Sequence, residues 1–217
     1  SLIFMKIVYK NGTDEIVEKK SRFIAHVYNV DSEEKAADII NGIKKKYWDA
    51  RHNCYAYIIG DNNEIQKFSD DGEPQGTAGK PIMDIIAASQ VHNCLIVVTR
   101  YFGGTLLGTG GLIRAYQEAS KKGLNKSEII DAIEGVSAYI DTDYNNMGKI
   151  RYICEEERVT IEDIQYTEKV HMKLLIAKDD YVHFVHIITD RFSGNLEVIK
   201  EGEQKYSKIP SGEIILL

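Results

Sequence analysis

Proline is scarce in this 217-residue chain, with 3 residues, and tryptophan scarcer, with 1. Cysteine is nearly absent too, at 3 residues, an odd number that excludes a closed disulfide framework. A reduced, cytoplasmic compartment is the expectation from that usage. Long apolar runs are missing. The longest aliphatic stretch covers residues 95–98, far below the roughly 20 residues of a membrane span. Nothing near the start combines basic residues, an apolar stretch and a small-residue cleavage site, so no secretory signal is read. Positive charge is not in excess either. Lys and Arg total 27 against 33 Asp and Glu, a net charge of −6. That balance argues against coating nucleic acid by bulk charge. With 43% hydrophobic residues, the chain is neither disordered nor collagen-like.

What is present is unevenly distributed. Of the 17 glycines, five fall at Gly103, Gly104, Gly108, Gly110 and Gly111, and Pro74 and Pro81 lie close before them. Residues with special backbone behaviour therefore concentrate in one region.

Periodicity predicts a strand over 22–30, then a helix with Ala36, Ile39, Ile40, Ile43 and Tyr47 at helical spacing, N-capped by Asp31 with Glu34 completing a capping box. Lys44, Lys45 and Lys46 close that helix, where its dipole favours cations. A strand over 53–60 and a hairpin return over 65–68 follow. After a polar loop, Pro81 takes the first position of a helix reaching about Ser89. Residues 94–99 show almost no alternation, as expected of a central strand. A glycine loop then enters a helix capped by Thr109 and stopped at Gly123. The pattern weakens around 125–135, which sets an expected boundary between domains 1–135 and 136–217. The second domain reads strand 137–143, helix 144–157, strands 159–166 and 170–177, a helix capped by Asp179 or Asp180, and strand 196–199. This is βαββαβ, the ferredoxin-like order. The first domain holds 17 basic and 18 acidic residues and the second 10 and 15, so −5 of the −6 lies in the second.

Three motifs can carry chemistry. The loop from Asp70 to Pro81 packs three carboxylates, three glycines and a lysine. The carboxylates can hold Mg²⁺, and Gly-Thr-Ala-Gly-Lys can turn N–H groups towards an anion. Its spacing is not that of a Walker loop. The segment from Arg100 to Arg114 places glycines between a strand end and a helix start, a plausible anion site with Arg100 and Arg114. Tyr101 and Phe102 can stack there on a ring. It lacks the G-x-G-x-x-G spacing of a dinucleotide site. The tripeptide His-Asn-Cys occurs at 52–54 and 92–94. H-x-C is not a common zinc spacing, so buried thiols beside satisfied histidines are the reading, with no metal expected.

In combination, Phe68-Ser69-Asp70-Asp71-Gly72-Glu73-Pro74-Gln75-Gly76-Thr77-Ala78-Gly79-Lys80-Pro81 and Val97-Val98-Thr99-Arg100-Tyr101-Phe102-Gly103-Gly104-Thr105-Leu106-Leu107-Gly108 resemble the YigZ/IMPACT family. Ser21-Arg22-Phe23-Ile24-Ala25 and Gly110-Gly111-Leu112-Ile113-Arg114-Ala115-Tyr116 extend the resemblance over essentially the whole chain. It implies an α+β protein of two domains. The first would have the left-handed βαβ fold of a small-subunit ribosomal protein's domain. The second would resemble a ferredoxin-like domain of elongation factor G. With no room for a further RWD domain before Arg22, a bacterial-type two-domain member is expected. The resemblance implies a functional surface on Asp70, Asp71, Gly72, Glu73, Gly76, Thr77, Arg100, Tyr101, Gly103, Gly104 and Arg114. It assigns no catalytic residue, cofactor or metal ligand.

The principal reading is therefore a binding protein in translation regulation. It would contact RNA, the ribosome or a translation factor through the glycine-rich, arginine-containing surface, with no role for a membrane. A second reading is a Mg²⁺-dependent enzyme acting on a phosphate-bearing or nucleotide ligand. A third is a partner domain whose acidic C-terminal module docks a basic protein surface.

Overall fold

Residues 4–217 are described in this computed structural model, and they form two units, Met5–Ile130 and Asp131–Leu217. In the first, β1 (Phe4–Lys10) and β2 (Gly12–Glu18) precede β3 (Ser21–Asn29), α1 (Glu33–Lys46), β4 (His52–Ile59) and β5 (Ile65–Ser69). Then come α2 (Gly79–Ala88), β6 (Val91–His92), β7 (Cys94–Tyr101) and α3 (Gly108–Lys126). Strand β8 (Glu128–Ile133) carries the chain onward.

The main sheet of this unit has the order β2-β3-β7-β4-β5. Strand β7 lies at its centre, antiparallel to both β3 and β4. So β3 and β4 run parallel one strand apart, joined through α1. The missing alternation of β7 now has its cause. Ile96 and Val98 face one core with Ile82, Ile86 and Tyr116 of α2 and α3. Leu95 and Val97 face the other with Ala36, Ile40 and Ile43 of α1. A strand covered on both faces needs apolar side chains at every position. Its carboxyl end delivers Arg100 and the glycine loop beside the starts of α2 and α3.

Several local expectations shift. Ser32, not Asp31, caps α1, accepting from the Lys35 N–H at 3.2 Å. Helix α2 begins at Gly79, two residues before Pro81, which still lies in the first turn where its missing N–H costs nothing. Thr109 does not cap α3. Leu107 holds the cap position and makes no side-chain cap bond. Gly123 does not stop α3 either. Its absent Cβ would lie 2.9 Å from the Ala25 Cβ, so the glycine serves helix-on-sheet contact.

The second unit contains β9 (Gly135–Thr142), α4 (Tyr144–Glu156), β10 (Thr160–Tyr166), β11 (Val170–Ala177), α5 (Tyr181–Arg191) and β12 (Ile199–Glu203). Sheet order β10-β11-β9-β12 is that of a ferredoxin-like domain, wholly antiparallel. Asp143 caps α4, accepting from the Asn146 N–H at 2.9 Å. The helix expected to be capped by Asp179 or Asp180 is preceded by a 3-10 turn at Lys178–Asp180, without a side-chain cap. The last strand of the motif starts at Ile199 rather than Leu196. A hairpin of β13 (Tyr206–Lys208) and β14 (Ile214–Leu216) follows, with Tyr206 paired to Ile133.

Candidate functional site

The carboxylate loop is built mainly from bonds within itself. Asp70 accepts from the N–H groups of Gly76, Ala78 and Gly79 at 2.9, 3.2 and 2.8 Å. The start of α2 thus already holds an anion, this protein's own carboxylate. Asp71 has positive φ, 39°, and turns its carboxylate to Lys44 Nζ (2.8 Å) and the Asn53 N–H (2.7 Å). Thr77 is buried and donates to the Pro74 carbonyl at 2.6 Å. These are bonds that shape a loop. Asp70 and Asp71 do not fit a Mg²⁺ site, because their oxygens are already bonded to backbone N–H groups and an ammonium. Among the described residues no group of three His, Cys, Asp or Glu is disposed to hold a metal ion.

The third carboxylate goes inward. Glu73 Oε1 accepts from Arg100 Nη1 and from the Tyr116 hydroxyl, both at 2.7 Å. The side chains of Glu73 and Arg100 are 3% and 7% exposed, so this pair is desolvated. The Arg100 guanidinium also lies over the rings of Phe23 (5.4 Å) and Phe102 (5.7 Å), where the ring faces attract a cation. Burial, then Cys54 and Glu73 nearby, pushes the Tyr116 hydroxyl far above its ordinary range, so it remains a proton donor. His52 Nδ1 lies 2.8 Å from the Asp71 carbonyl. A carbonyl only accepts, so this nitrogen carries the proton, and Nε2 faces Glu73 Oε2 at 3.8 Å.

The glycine loop is latched to the start of β3. Gly103 donates its N–H to Ser21 Oγ at 3.1 Å, and Arg100 Nη2 reaches the same oxygen at 3.4 Å. A Cβ on Gly103 would sit 2.0 Å from the Lys20 carbonyl carbon, which no side chain tolerates. Phe23, two residues further along the strand, meets Tyr116 edge to face at 5.1 Å.

Above this buried network opens a cleft of about 500 Å³, bordered by Arg51, His52, Gly72, Glu73, Pro74 and Arg100 on one side. Phe102, Leu106, Leu107, Gly108, Thr109 and Leu112 form the other. Phe102 and Leu106 are exposed, Leu106 at 81%. The first turn of α3 has no acidic residue, and among the described residues no side chain accepts from its N–H groups, whereas Asp70 accepts from those at the start of α2.

The structure thus gathers Gly72, Glu73 and Arg100 at one cleft, with Asp70, Asp71, Gly76, Thr77 and Gly103 supporting its walls. Gly104 has positive φ, 87°, in the same loop. Two residues point elsewhere. Tyr101, on the opposite face of β7 from Arg100, donates to Asp49 Oδ1 at 2.8 Å and lies under Arg22. Arg114 borders an adjoining groove of about 470 Å³ with Glu18, Lys19, Glu118 and Lys121, which shares Leu107 with the cleft. Sequence reasoning left Arg51, Leu106 and Leu107 out of the surface and read His52 as a satisfied histidine beside a buried thiol. The signal was the pairing of two strand ends, which places His52 opposite Arg100.

Cysteine nucleophiles find no support here. Cys54 donates to the Asp70 carbonyl at 3.0 Å, and burial pushes its thiol up. Burial likewise raises Cys94 and Cys154 to about 12.

Fold and site define a mixed α/β protein of two units. One is a helix-sandwiched sheet with a glycine-walled cleft, and the other is ferredoxin-like. The family model of the Impact N-terminal domain matches residues 19–124, and that of a domain of unknown function, DUF1949, matches 140–195. The IMPACT family member YvyE of Bacillus subtilis is 40% identical over 199 residues, 92% of this chain and 91% of its own. The IMPACT family member YigZ of Escherichia coli is 31% identical over 83% of this chain and 90% of its own. This chain belongs to the IMPACT family. A protein IMPACT homolog of Dictyostelium discoideum is 41% identical over 97 residues, 28% of its length. Among solved structures, one reported as a hypothetical protein superposes with a TM-score of 0.60 at 29% identity, covering 92% of this chain and 98% of its own.

Proposed function

We propose that this protein regulates translation by binding, and that the cleft of its Met5–Ile130 unit receives a phosphate-bearing surface of RNA or the ribosome. The observation that carries this reading is the open first turn of α3 facing a cleft that also presents Arg51 and the exposed Phe102 and Leu106. Free N–H groups at a helix start, the helix dipole and a guanidinium together suit a phosphate. An exposed aromatic suits a base or sugar ring. Family membership supports the translation context. The buried Glu73–Arg100 pair positions the loop in this reading and does not itself contact the ligand. Arg114, in the adjoining groove, is a flanking contact.

Ribosome co-sedimentation tests the proposal. Arg51→Ala and Leu106→Ser change exposed side chains, so the fold persists. Association is expected at low salt, falling as salt rises, and weaker in both variants. Absence of the protein from the ribosome pellet at low salt overturns the proposal. So does association that both variants leave intact.

A further inference from the structure

We propose that Trp48 and the cations beside it form a second contact, a stacking site for single-stranded RNA on the loop that follows α1. It rests on the nucleic-acid side of the reading above but not on the cleft. Trp48 is the only tryptophan in the chain, and it is 81% exposed. The loop holding it is fixed from both sides. Tyr47, just before it, packs on the His26 ring at 5.1 Å. Asp49, just after, accepts from the Tyr101 hydroxyl at 2.8 Å. Lys44 is tied to Asp71. The indole is therefore held out by ordered neighbours while contributing nothing to the core.

Cations flank it. Lys45, Lys46 and Arg51 are exposed, and among the described residues none of them forms an ion pair. Arg22 stands at the same edge, over the Tyr101 ring at 5.8 Å, but its charge is already paired with Glu15 at 2.8 Å. Favourable placement at a helix C-terminus accounts for the lysines alone, but not for a bare indole among them. An acidic peptide would use the cations and leave the ring idle. An aromatic face with positive charge on either side matches unpaired bases on a phosphate backbone. Arg51 also borders the cleft, so one strand can engage both places.

The single tryptophan makes the test direct, since fluorescence excited at the red edge, beyond tyrosine absorption, reports on Trp48 alone in the unaltered protein. Titration with a single-stranded oligouridylate at low salt is expected to quench it saturably, and added salt to weaken the binding. Duplex RNA and inorganic polyphosphate are expected to quench little. By anisotropy of a labelled oligouridylate, Trp48→Ala is expected to weaken binding by about 5- to 150-fold at unchanged thermal midpoint. Lys45→Ala with Lys46→Ala should lower the salt slope. Absent quenching, or equal quenching by polyphosphate, overturns the inference. A blue shift with anionic vesicles and no response to oligouridylate also overturns it, in favour of a lipid surface. Ribosome pelleting that survives Trp48→Ala but not Leu106→Ser leaves the cleft reading standing and removes this one. Quenching without ribosome association does the reverse.

Discussion

Replacing Arg100 with methionine removes the guanidinium bonded to the buried carboxylate of Glu73. The two side chains are 7% and 3% exposed, and the Nη1–Oε1 distance is 2.7 Å. The methionine can still pack on Phe23 and Phe102, so little apolar contact is lost. The cost comes from a carboxylate left desolvated and facing only the Tyr116 hydroxyl and the nearby His52 ring. Breaking one side of such a pair costs about 3–5 kcal/mol. Against a typical total of about 5–15 kcal/mol, that is about a fifth of the stability or more. In urea, with a slope of about 2 kcal/mol per molar, the midpoint should fall by about 2 M at unchanged slope. Adding Glu73→Gln keeps an acceptor for Tyr116 and removes the orphaned charge. The double variant should therefore recover most of the loss. If Arg100→Met costs less than about 1 kcal/mol, the pair is not the desolvated unit described here. Costs that simply add in the double variant would refute the coupling.

Burial, with Lys46 adding to it, lowers His26 from 6.5 to about 4, so the unfolded chain takes up a proton that the folded one refuses between those values. Stability should fall as pH drops through that window, by about 2 kcal/mol at pH 5, and denaturation of His26→Gln should lack this component. Asp70→Ala strips three N–H groups of their acceptor and should cost about 1–2 kcal/mol, with Asp70→Asn milder, measured by the same unfolding curves. A thiol-reactive dye should label none of the three cysteines quickly in the native protein and all three after denaturation, since each is buried with its thiol pushed up. One rapidly labelled native thiol would contradict the packing of Cys54 under Tyr116.

Much of the architecture was legible in the chain because one-sided and two-sided burial leave different periods. The βαββαβ order of the second unit, the hairpin of β4 and β5, and the central place of β7 all follow from pattern. Strands β1, β2, β6, β8, β13 and β14 were not foreseen. Strand β2 shows why: Gly-Thr-Asp-Glu-Ile-Val-Glu sits at a sheet edge, where charged side chains are tolerated and blunt further pairing. Gly123 reads as a helix stop by composition and proves to be a close-approach position inside α3.

The site divides the same way. Residue types and spacing alone determined that chemistry-bearing groups cluster in two glycine-rich blocks, and that two helix starts were anion candidates. Which start stays open was decided by tertiary structure. Asp70 folds back onto α2, while among the described residues no side chain caps α3. Likewise, Glu73 meets Arg100 and Tyr116 across 27 and 43 residues of chain, whereas Arg114, in the same sequence block as Tyr116, turns to another groove. A sequence states which donors and acceptors exist and their local period. Whether a given donor is already satisfied depends on partners brought from distant strands, and that is settled only when the core closes around them.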